Sequence, residues 1–117
     1  MYDLSLNDTT IEKVKINVVD SLKEVMKSDL IEVVLYGSCA RGDYTEDSDI
    51  DIALVLNCGR IEAKKYDSFL AQITTELAMK YFAVVNFVCI PYEEFQEKGT
   101  WYAYYRNIKD EGEVLYG

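Results

Sequence analysis

The stretch IEVVLYGSCARGDYTEDSDIDIALVL, residues 31–56, decides the fold, because it places two apolar runs on either side of a polar bend. Residues 31–36 form a short β-branched run that stops at Gly37, and residues 50–56 form a second run that is closed by Asn57 and Gly59. Both runs have the length and composition of strands. The polar segment between them contains Gly42 and is long enough for a helical turn followed by a loop. The centre of the chain is therefore predicted to be strand, turn and strand.

Upstream of this centre, the spacing of apolar residues predicts one amphipathic helix. Thr9-Thr10-Ile11-Glu12 has the spacing of a capping box, in which a hydroxyl and a carboxylate satisfy free amides at a helix start. The apolar residues that follow share one helical face, and they are Ile11, Val14, Val18, Leu22 and Val25. We expect this helix to end near Ser28.

Downstream of the centre, helical and strand patterns continue to alternate. A second helix is predicted from about residue 61 to residue 80, and its core-facing residues are Tyr66, Phe69, Leu70, Ile73 and Leu77. Residues 83–90 predict a third strand, which ends at Pro91 and has Asn86 as its uncharged polar interruption. The tail combines an aromatic helical stretch around residues 101–108 with a short last strand at residues 114–116. The alternation predicts an α/β or α+β fold, a β-sheet flanked by helices.

Size and charge narrow the class of protein. A chain of 117 residues, half of them apolar, falls within the range of one domain, which we predict over residues 1–117. Its 21 acidic and 12 basic residues give a net charge of -9, which repels a phosphate backbone, so we expect no direct nucleic-acid partner. No stretch reaches the roughly 18 apolar residues that a bilayer span needs, and the N-terminus lacks the pattern of a secretory signal. We expect a cytoplasmic protein without membrane contact.

The residue types exclude several classes of chemistry. The chain contains no histidine, which removes Ser-His-Asp and Cys-His catalysis and most zinc sites. Its cysteines, Cys39, Cys58 and Cys89, are odd in number and far apart in sequence, so we predict that they are reduced. A catalytic metal ion must therefore be held by oxygen ligands.

Asp49 and Asp51 are the candidate metal ligands and catalytic residues. Side chains alternate between the two faces of a strand, so two aspartates at this spacing project from the same face. Like charges held this close repel one another unless a cation lies between them. Magnesium suits such a pair, because it prefers carboxylate oxygens and keeps further positions for phosphate oxygens and water. The alternative is a solvated acidic loop, since Asp43, Glu46 and Asp47 lie nearby in sequence.

Gly37-Ser38 is the candidate nucleotide-binding element. Glycine lets the backbone approach a ligand closely, and the amides of a helix start, together with the serine hydroxyl, can hold phosphate oxygens. In isolation the same pair is an ordinary strand-ending turn. Arg41 has two interpretations that the sequence leaves open: it binds phosphate, or it neutralises neighbouring acids and braces the loop. A phosphate-binding bend beside a metal-binding carboxylate pair is the arrangement that phosphoryl or nucleotidyl transfer requires.

The run GSCARGDYTEDSDIDI, residues 37–52, resembles the signature of the DNA polymerase beta-like nucleotidyltransferase superfamily. The features that match are Gly37-Ser38, the ten residues 39–48, and the aspartates of Asp49-Ile50-Asp51. With Arg41 followed by a glycine, the run is similar to the shortest branch of the superfamily, the minimal nucleotidyltransferases. Residues 105–116 carry a similar C-terminal pattern, so the resemblance extends over nearly the whole chain.

The resemblance implies a fold, a reaction and a partner. The fold is a mixed sheet flanked by helices, the polymerase beta-like nucleotidyltransferase fold. By resemblance, Asp49 and Asp51 hold Mg²⁺, or Mn²⁺ in its place, and Gly37 and Ser38 bind a nucleoside triphosphate such as ATP. Arg41 contacts phosphate or braces the loop. Many such proteins resemble the antitoxin of a pair whose other member is a HEPN-type toxin, and some transfer AMP to a tyrosine of that toxin.

One residue departs from the family pattern. Family enzymes place a third carboxylate on a later strand, where it helps to bind the second metal ion and accepts the proton of the attacking hydroxyl. The matching position in this chain is Asn86. An amide oxygen can act as a weak ligand, but an amide cannot serve as a carboxylate base.

Two functions from different classes are consistent with the sequence. The first is an enzyme that transfers AMP from ATP to a hydroxyl of a HEPN-type toxin. The second is a catalytically weak or inactive nucleotide-binding module that neutralises its partner by contact, for which the net charge of -9 suits a basic surface. Homo-oligomerisation is left open. The tyrosines of the tail, Tyr102, Tyr104 and Tyr105, have two interpretations as well, core packing or a partner interface.

Overall fold

The computed structural model describes residues 6–117, so the first five residues of the predicted domain lie outside the described residues. Six α-helices and four strands make up the regular structure of this part of the chain. In chain order they are α1 Asp8–Met26, β1 Leu30–Tyr36, α2 Ser38–Arg41, β2 Ile50–Leu56, α3 Arg60–Ala63, α4 Asp67–Tyr81, β3 Val85–Pro91, α5 Tyr92–Lys98, α6 Ala103–Glu111 and β4 Glu113–Tyr116. None of the helices within residues 6–117 has both the length and the apolar character of a membrane span.

The four strands form one mixed sheet in the order β3-β2-β1-β4. β1 runs antiparallel to both β2 and β4, and β2 runs parallel to β3. The parallel pair needs a crossover connection, which α3 and α4 supply, whereas β1 and β2 are joined through the short helix α2. The predicted mixed sheet flanked by helices is confirmed.

The two faces of the sheet carry separate cores because side chains alternate along each strand. On one face, Ile50, Ile52, Leu54 and Leu56 of β2 pack with α1 and α4. On the other face, Ala53 and Val55 of β2 pack with residues of α5 and α6, which include Phe95, Tyr105 and Ile108. Asp51 precedes Ala53 by two residues and so continues this second face. The polar residues of the motif therefore lie at the margin of the smaller core.

The first helix begins earlier than the predicted capping box. α1 starts at Asp8, and the side chain of Asn7 caps it by accepting a hydrogen bond of 2.9 Å from the amide of Thr10. Of the predicted face, Ile11, Val14, Val18 and Leu22 are buried, but Val25 is 44% exposed and Met26 is buried in its place. The buried face continues at a spacing of four residues from Val14 to Met26, so Met26 and not Val25 takes the last core position.

The helices after β2 differ in extent from the prediction. The predicted helix over residues 61–80 is divided, with α3 leading through a 3₁₀ turn at Lys64–Tyr66 into α4. Helix α5 was not predicted from the sequence, and its single buried residue is Phe95. Seven residues with one buried position are too short for a helical period to show in the sequence. The predicted aromatic helix is α6, and the predicted last strand is β4.

Glu94 of α5 joins two parts of the fold through a charged network. It accepts hydrogen bonds of 2.7 and 3.1 Å from the Arg60 guanidinium, 3.1 Å from the Tyr105 hydroxyl and 3.3 Å from the Lys98 ammonium. These donors, Arg60 above all, lower the pKa of Glu94 from its usual 4.5 to about 2. Because the folded-state pKa is depressed, the resulting stability is present above pH 4.5 and is lost as the pH falls towards 2.

We expect Glu94→Gln to remove this acid-dependent component of stability. The variant should be less stable than the wild type at neutral pH, and the gap between their melting temperatures should close as the pH falls through this window. Thermal unfolding followed by circular dichroism over the acid range measures the gap. Glu93→Gln, an exposed position on the same helix, is the matched control and should keep a constant offset from the wild type. A gap for Glu94→Gln that stays constant with pH would contradict the assignment.

Candidate active site

The two aspartates of the motif meet at one point. Asp49 immediately precedes β2 and Asp51 is the second residue of that strand. The side-chain amide of Asn86 donates to Asp49 Oδ2 at 3.0 Å and to Asp51 Oδ1 at 3.2 Å. One nitrogen can reach both carboxylates only if they project from the same face, as the alternation of side chains along the strand predicts. The pair is therefore a single acidic site on the sheet.

Asn86 belongs to this site through the parallel pairing of β2 and β3. In that register Asp51 lies directly beside Asn86. The amide presents its nitrogen, the donor, to the two carboxylates, which can only accept when ionised. The position that the sequence matched to a third carboxylate is thus adjacent to the other two, and it carries a neutral side chain.

Gly37 brings the chain bend into contact with the carboxylate pair. Its φ of 74° and ψ of -156° lie in a region that residues with a Cβ atom rarely adopt. A Cβ atom added here would lie 2.7 Å from Asp51 Oδ2, which is closer than non-bonded atoms approach. The backbone then enters α2, where the amides of Ala40 and Arg41 both donate to the Gly37 carbonyl at 3.1 Å. The bend therefore places Ser38 and the start of α2 next to Asp51.

The Arg41 guanidinium forms ion pairs with two acidic side chains. Its Nε donates to Asp43 Oδ2 at 3.2 Å, and its Nη1 donates to Glu111 Oε2 at 3.3 Å. These contacts, that with Asp43 first, raise the pKa of the Arg41 guanidinium. The side chain thereby ties α2 to the last residue of α6. Of the two interpretations left open by the sequence, the geometry favours the brace.

Cys39 lies beside the site as a thiol. Its Sγ donates to the Asp49 carbonyl at 3.5 Å. Burial, followed by the charge of Asp51, raises the pKa of the Cys39 thiol. A thiol with a raised pKa is a poor nucleophile at neutral pH, and Cys39 is partly buried against the larger core, so it is a packing residue beside the site.

Tyr36 and Tyr104 are neighbours of the site that the sequence analysis did not assign. Tyr36, the last residue of β1, lies opposite Asp51 in the antiparallel register. Its hydroxyl is 2.8 Å from the hydroxyl of Tyr104 on α6. Burial, then Tyr104 and the charge of Asp51, raise the pKa of Tyr36. Successive ring contacts join four exposed or half-buried residues into an aromatic cluster, Tyr36, Trp101, Tyr102 and Tyr104. The sequence signal that could have identified Tyr36 is its position at the end of the predicted first strand, directly before Gly37.

The side chains that meet here fit a hard divalent cation. Among residues 6–117 no group of three or more Cys, Asp or Glu side chains is placed to hold a metal ion. The site offers the oxygens of two carboxylates, the kind of ligand that Mg²⁺ prefers, with the Asn86 amide nitrogen directed at both of them. Both carboxylates converge on one hydrogen-bond donor, so they lie close enough together for a single group to contact both.

Comparison with known proteins identifies relatives of this chain. Residues 17–114 match the nucleotidyltransferase domain family. A protein of Methanocaldococcus jannaschii, provisionally named protein adenylyltransferase MJ0604, is 39% identical over 98 residues, which cover 84% of this chain and 90% of the relative. The residues that match the family, 17–114, include the bend, both aspartates and Asn86.

Solved structures share the fold at lower identity. A crystal structure of a toxin-antitoxin pair with AMP-PNP has a chain that superposes with a TM-score of 0.57 at 19% identity, over 88% of this chain and 73% of that one. A structure of a tri-AMPylated HEPN toxin of Shewanella oneidensis in complex with an MNT antitoxin also contains a matching chain. That chain superposes with a TM-score of 0.54 at 17% identity, over 91% of this chain and 71% of that one.

Proposed function

The chain belongs to the nucleotidyltransferase domain family, and from that premise we propose that it transfers AMP from ATP to a hydroxyl of a partner protein. We further propose that the partner is a HEPN-type toxin and that the chain acts as its antitoxin. The observation that carries the proposal is the contact of the Gly37 bend with Asp51, one of two carboxylates that share the Asn86 amide. The protein adenylyltransferase name of the relative at 39% identity supports the choice of AMP and of a protein acceptor.

Each residue of the site has a defined part in this reaction. Asp49 and Asp51 would hold Mg²⁺, or Mn²⁺ in its place. When bound, the cation neutralises charge on the phosphate oxygens and polarises them. Gly37 lets the triphosphate approach the backbone, and the Ser38 hydroxyl and the first amides of α2 hold the oxygens of the departing pyrophosphate. The acceptor oxygen bonds to the α phosphorus as the bond to pyrophosphate breaks, and the hydroxyl proton passes to solvent.

Asn86 is proposed to keep the carboxylates together through its amide nitrogen and to leave the site without a third negative charge. Replacing it by a carboxylate should therefore change how strongly the protein responds to metal. Without metal, Asn86→Asp adds a third negative charge to the site and should lower the melting temperature. With Mg²⁺ the same charge should strengthen binding, and a tenfold gain in affinity adds about 1.4 kcal/mol of stability, or roughly 5 °C.

The melting temperatures of Asn86→Asp and the wild type in EDTA and in excess Mg²⁺ test this prediction. Asn107→Asp, which makes the same change at an exposed position of α6, is the matched control. It should show the same metal response as the wild type. An equal response in Asn86→Asp would show that position 86 does not face the metal site.

The neutral side chain of Asn86 supports a second candidate function, in which the chain binds its partner without catalysing a reaction. With no third carboxylate beside Asp51, the chain would bind a nucleotide and neutralise its partner by contact alone. The net charge of -9 suits association with a basic surface. The two functions differ in whether neutralisation needs ATP.

The experiment that separates them measures toxin activity after mixing the two purified proteins. We expect the wild type to neutralise the toxin only when ATP and Mg²⁺ are present, and the toxin to gain the mass of AMP. The double variant Asp49→Asn/Asp51→Asn should fail to neutralise the toxin under all conditions. Neutralisation by the double variant, or by the wild type without ATP, would favour the contact mechanism and overturn the enzymatic one.

A further inference from the structure

We propose that the aromatic cluster binds the nucleobase of the substrate nucleotide. The inference rests on the proposed function, because it requires a triphosphate at the bend formed by Gly37 and Ser38. It adds a subsite that gives the enzyme its affinity for the nucleoside part of the substrate, separate from the elements that hold the phosphates.

The aromatic cluster is continuous with the carboxylate pair. Asp51 lies opposite Tyr36 in the register of β1 and β2, and neighbours directly opposite in an antiparallel pair have adjacent side chains. The ring of Tyr36 then meets that of Tyr104 edge to face, with centroids 6.1 Å apart. Tyr102 follows at 6.3 Å from Tyr104. The rings therefore form a path that starts at a proposed metal ligand and leads across the sheet face to α6.

The outer rings of the cluster are open to solvent although they are large and apolar. Trp101 is 64% exposed, Tyr102 is 44% exposed and Tyr104 is 41% exposed. They are also held in place, since Tyr102 packs perpendicular to the buried ring of Tyr105 with centroids 4.7 Å apart. Exposed rings with fixed orientation are suited to stacking on another flat aromatic group, and every nucleobase provides one.

The position of the Gly37-Ser38 bend indicates which part of a bound nucleotide lies next to the aromatic cluster. With the pyrophosphate at Ser38 and the α phosphorus at the carboxylates, the nucleoside extends over one of the two strands that flank β2. On the β3 side the neighbour of Asp51 is the amide of Asn86. On the β1 side the neighbour is Tyr36, which leads to the exposed rings. Stacking favours the β1 side for the base and leaves the β3 side to the acceptor.

Trp101 provides a direct probe of this subsite, because it is the single tryptophan of the chain. In buffer with Mg²⁺, excited at the red edge of indole absorption, ATP should quench the Trp101 fluorescence in a saturable way. Inorganic tripolyphosphate, which has the phosphates but no base, should bind more weakly by about fivefold or more and leave the emission nearly unchanged, because stacking of one base contributes a factor of this order. Calorimetry gives the affinity of both ligands independently of fluorescence.

Substitutions in the aromatic cluster test whether its rings contribute to ATP binding. Tyr104→Leu should weaken ATP binding by about fivefold or more and leave the binding of tripolyphosphate unchanged. Tyr104→Phe, which keeps the ring, should retain the affinity of the wild type. Tyr92→Leu, an exposed tyrosine at the start of α5 and outside the cluster, is the matched control and should bind both ligands normally.

The outcomes distinguish this inference from the proposed function. Equal affinity of the wild type for ATP and tripolyphosphate would overturn the base subsite and leave the proposed function standing. Failure of the wild type to bind either ligand would overturn both. Unchanged ATP binding by Tyr104→Leu, together with a raised KM for the acceptor protein, would overturn the subsite and assign the rings to protein docking.

Discussion

Asp49→Asn and Asp51→Asn are each expected to lower the rate of AMP transfer from ATP to the acceptor protein by at least about 10³-fold. Each substitution replaces a charged ligand of the proposed cation by a neutral one. Lost charge stabilisation of several kcal/mol at the transition state corresponds to a rate loss of this size. Transfer of label from α-labelled ATP to the purified partner, measured in single turnover, gives the rates directly.

The matched control for these variants is Asp47→Asn, an exposed acid of the loop before β2. It makes the same chemical change two residues from Asp49 and should transfer AMP at the wild-type rate. Stability provides a second readout. Asp49→Asn and Asp51→Asn remove a like-charge contact, so in EDTA neither variant should melt below the wild type, while both should lose the stabilisation by Mg²⁺. Undiminished labelling in both variants would exclude the carboxylate pair from the reaction.

Gly37→Ala is expected to lower the transfer rate by about 100-fold. The added Cβ atom would lie 2.7 Å from Asp51 Oδ2, so either the carboxylate or the bend must move. A displacement of roughly 1 Å in a reacting group costs a factor of this order. The backbone angles of Gly37, φ 74° and ψ -156°, are also accessible almost only to glycine, so alanine there should lower stability by about 1–3 kcal/mol.

Gly42→Ala separates displacement of the carboxylate from backbone strain. Gly42 also has a positive φ, 85°, but an added Cβ atom would find no atom within 4 Å. Gly42 lies in the left-handed α region, so we expect Gly42→Ala to lose about 1–2 kcal/mol of stability and to keep most of the transfer activity. If both glycine variants lose activity equally, strain in α2 and not the contact with Asp51 explains the loss.

The sequence predicted the centre of the fold because local and long-range preferences agree there. Residues 50–56 carry β-branched and apolar side chains that suit a strand, and both of their faces are buried, so the predicted strand equals β2. The bend followed from Gly37, whose backbone conformation few other residues adopt. The family match over residues 17–114 confirms the resemblance that this motif indicated.

Features that depend on packing between distant segments were not predictable in the same way. The sequence showed Asn86 as a departure from a pattern, but its donation to both aspartates depends on the register of β2 and β3. The proximity of Tyr104 to Tyr36 depends on the docking of α6 over the sheet. The pairing of Arg41 with Glu111 joins residues 70 positions apart, which no local pattern encodes. Short elements such as α5 give too little periodic signal.

The measurement that most directly tests the site is a crystal structure with Mn²⁺ and AMP-PNP, in which anomalous scattering locates the metal ion. We predict an anomalous peak at coordination distance, about 2.2 Å, from oxygens of both Asp49 and Asp51, with the β and γ phosphates against Gly37 and Ser38. A peak on a loop acid such as Asp43, or a nucleotide bound away from the bend, would contradict the account.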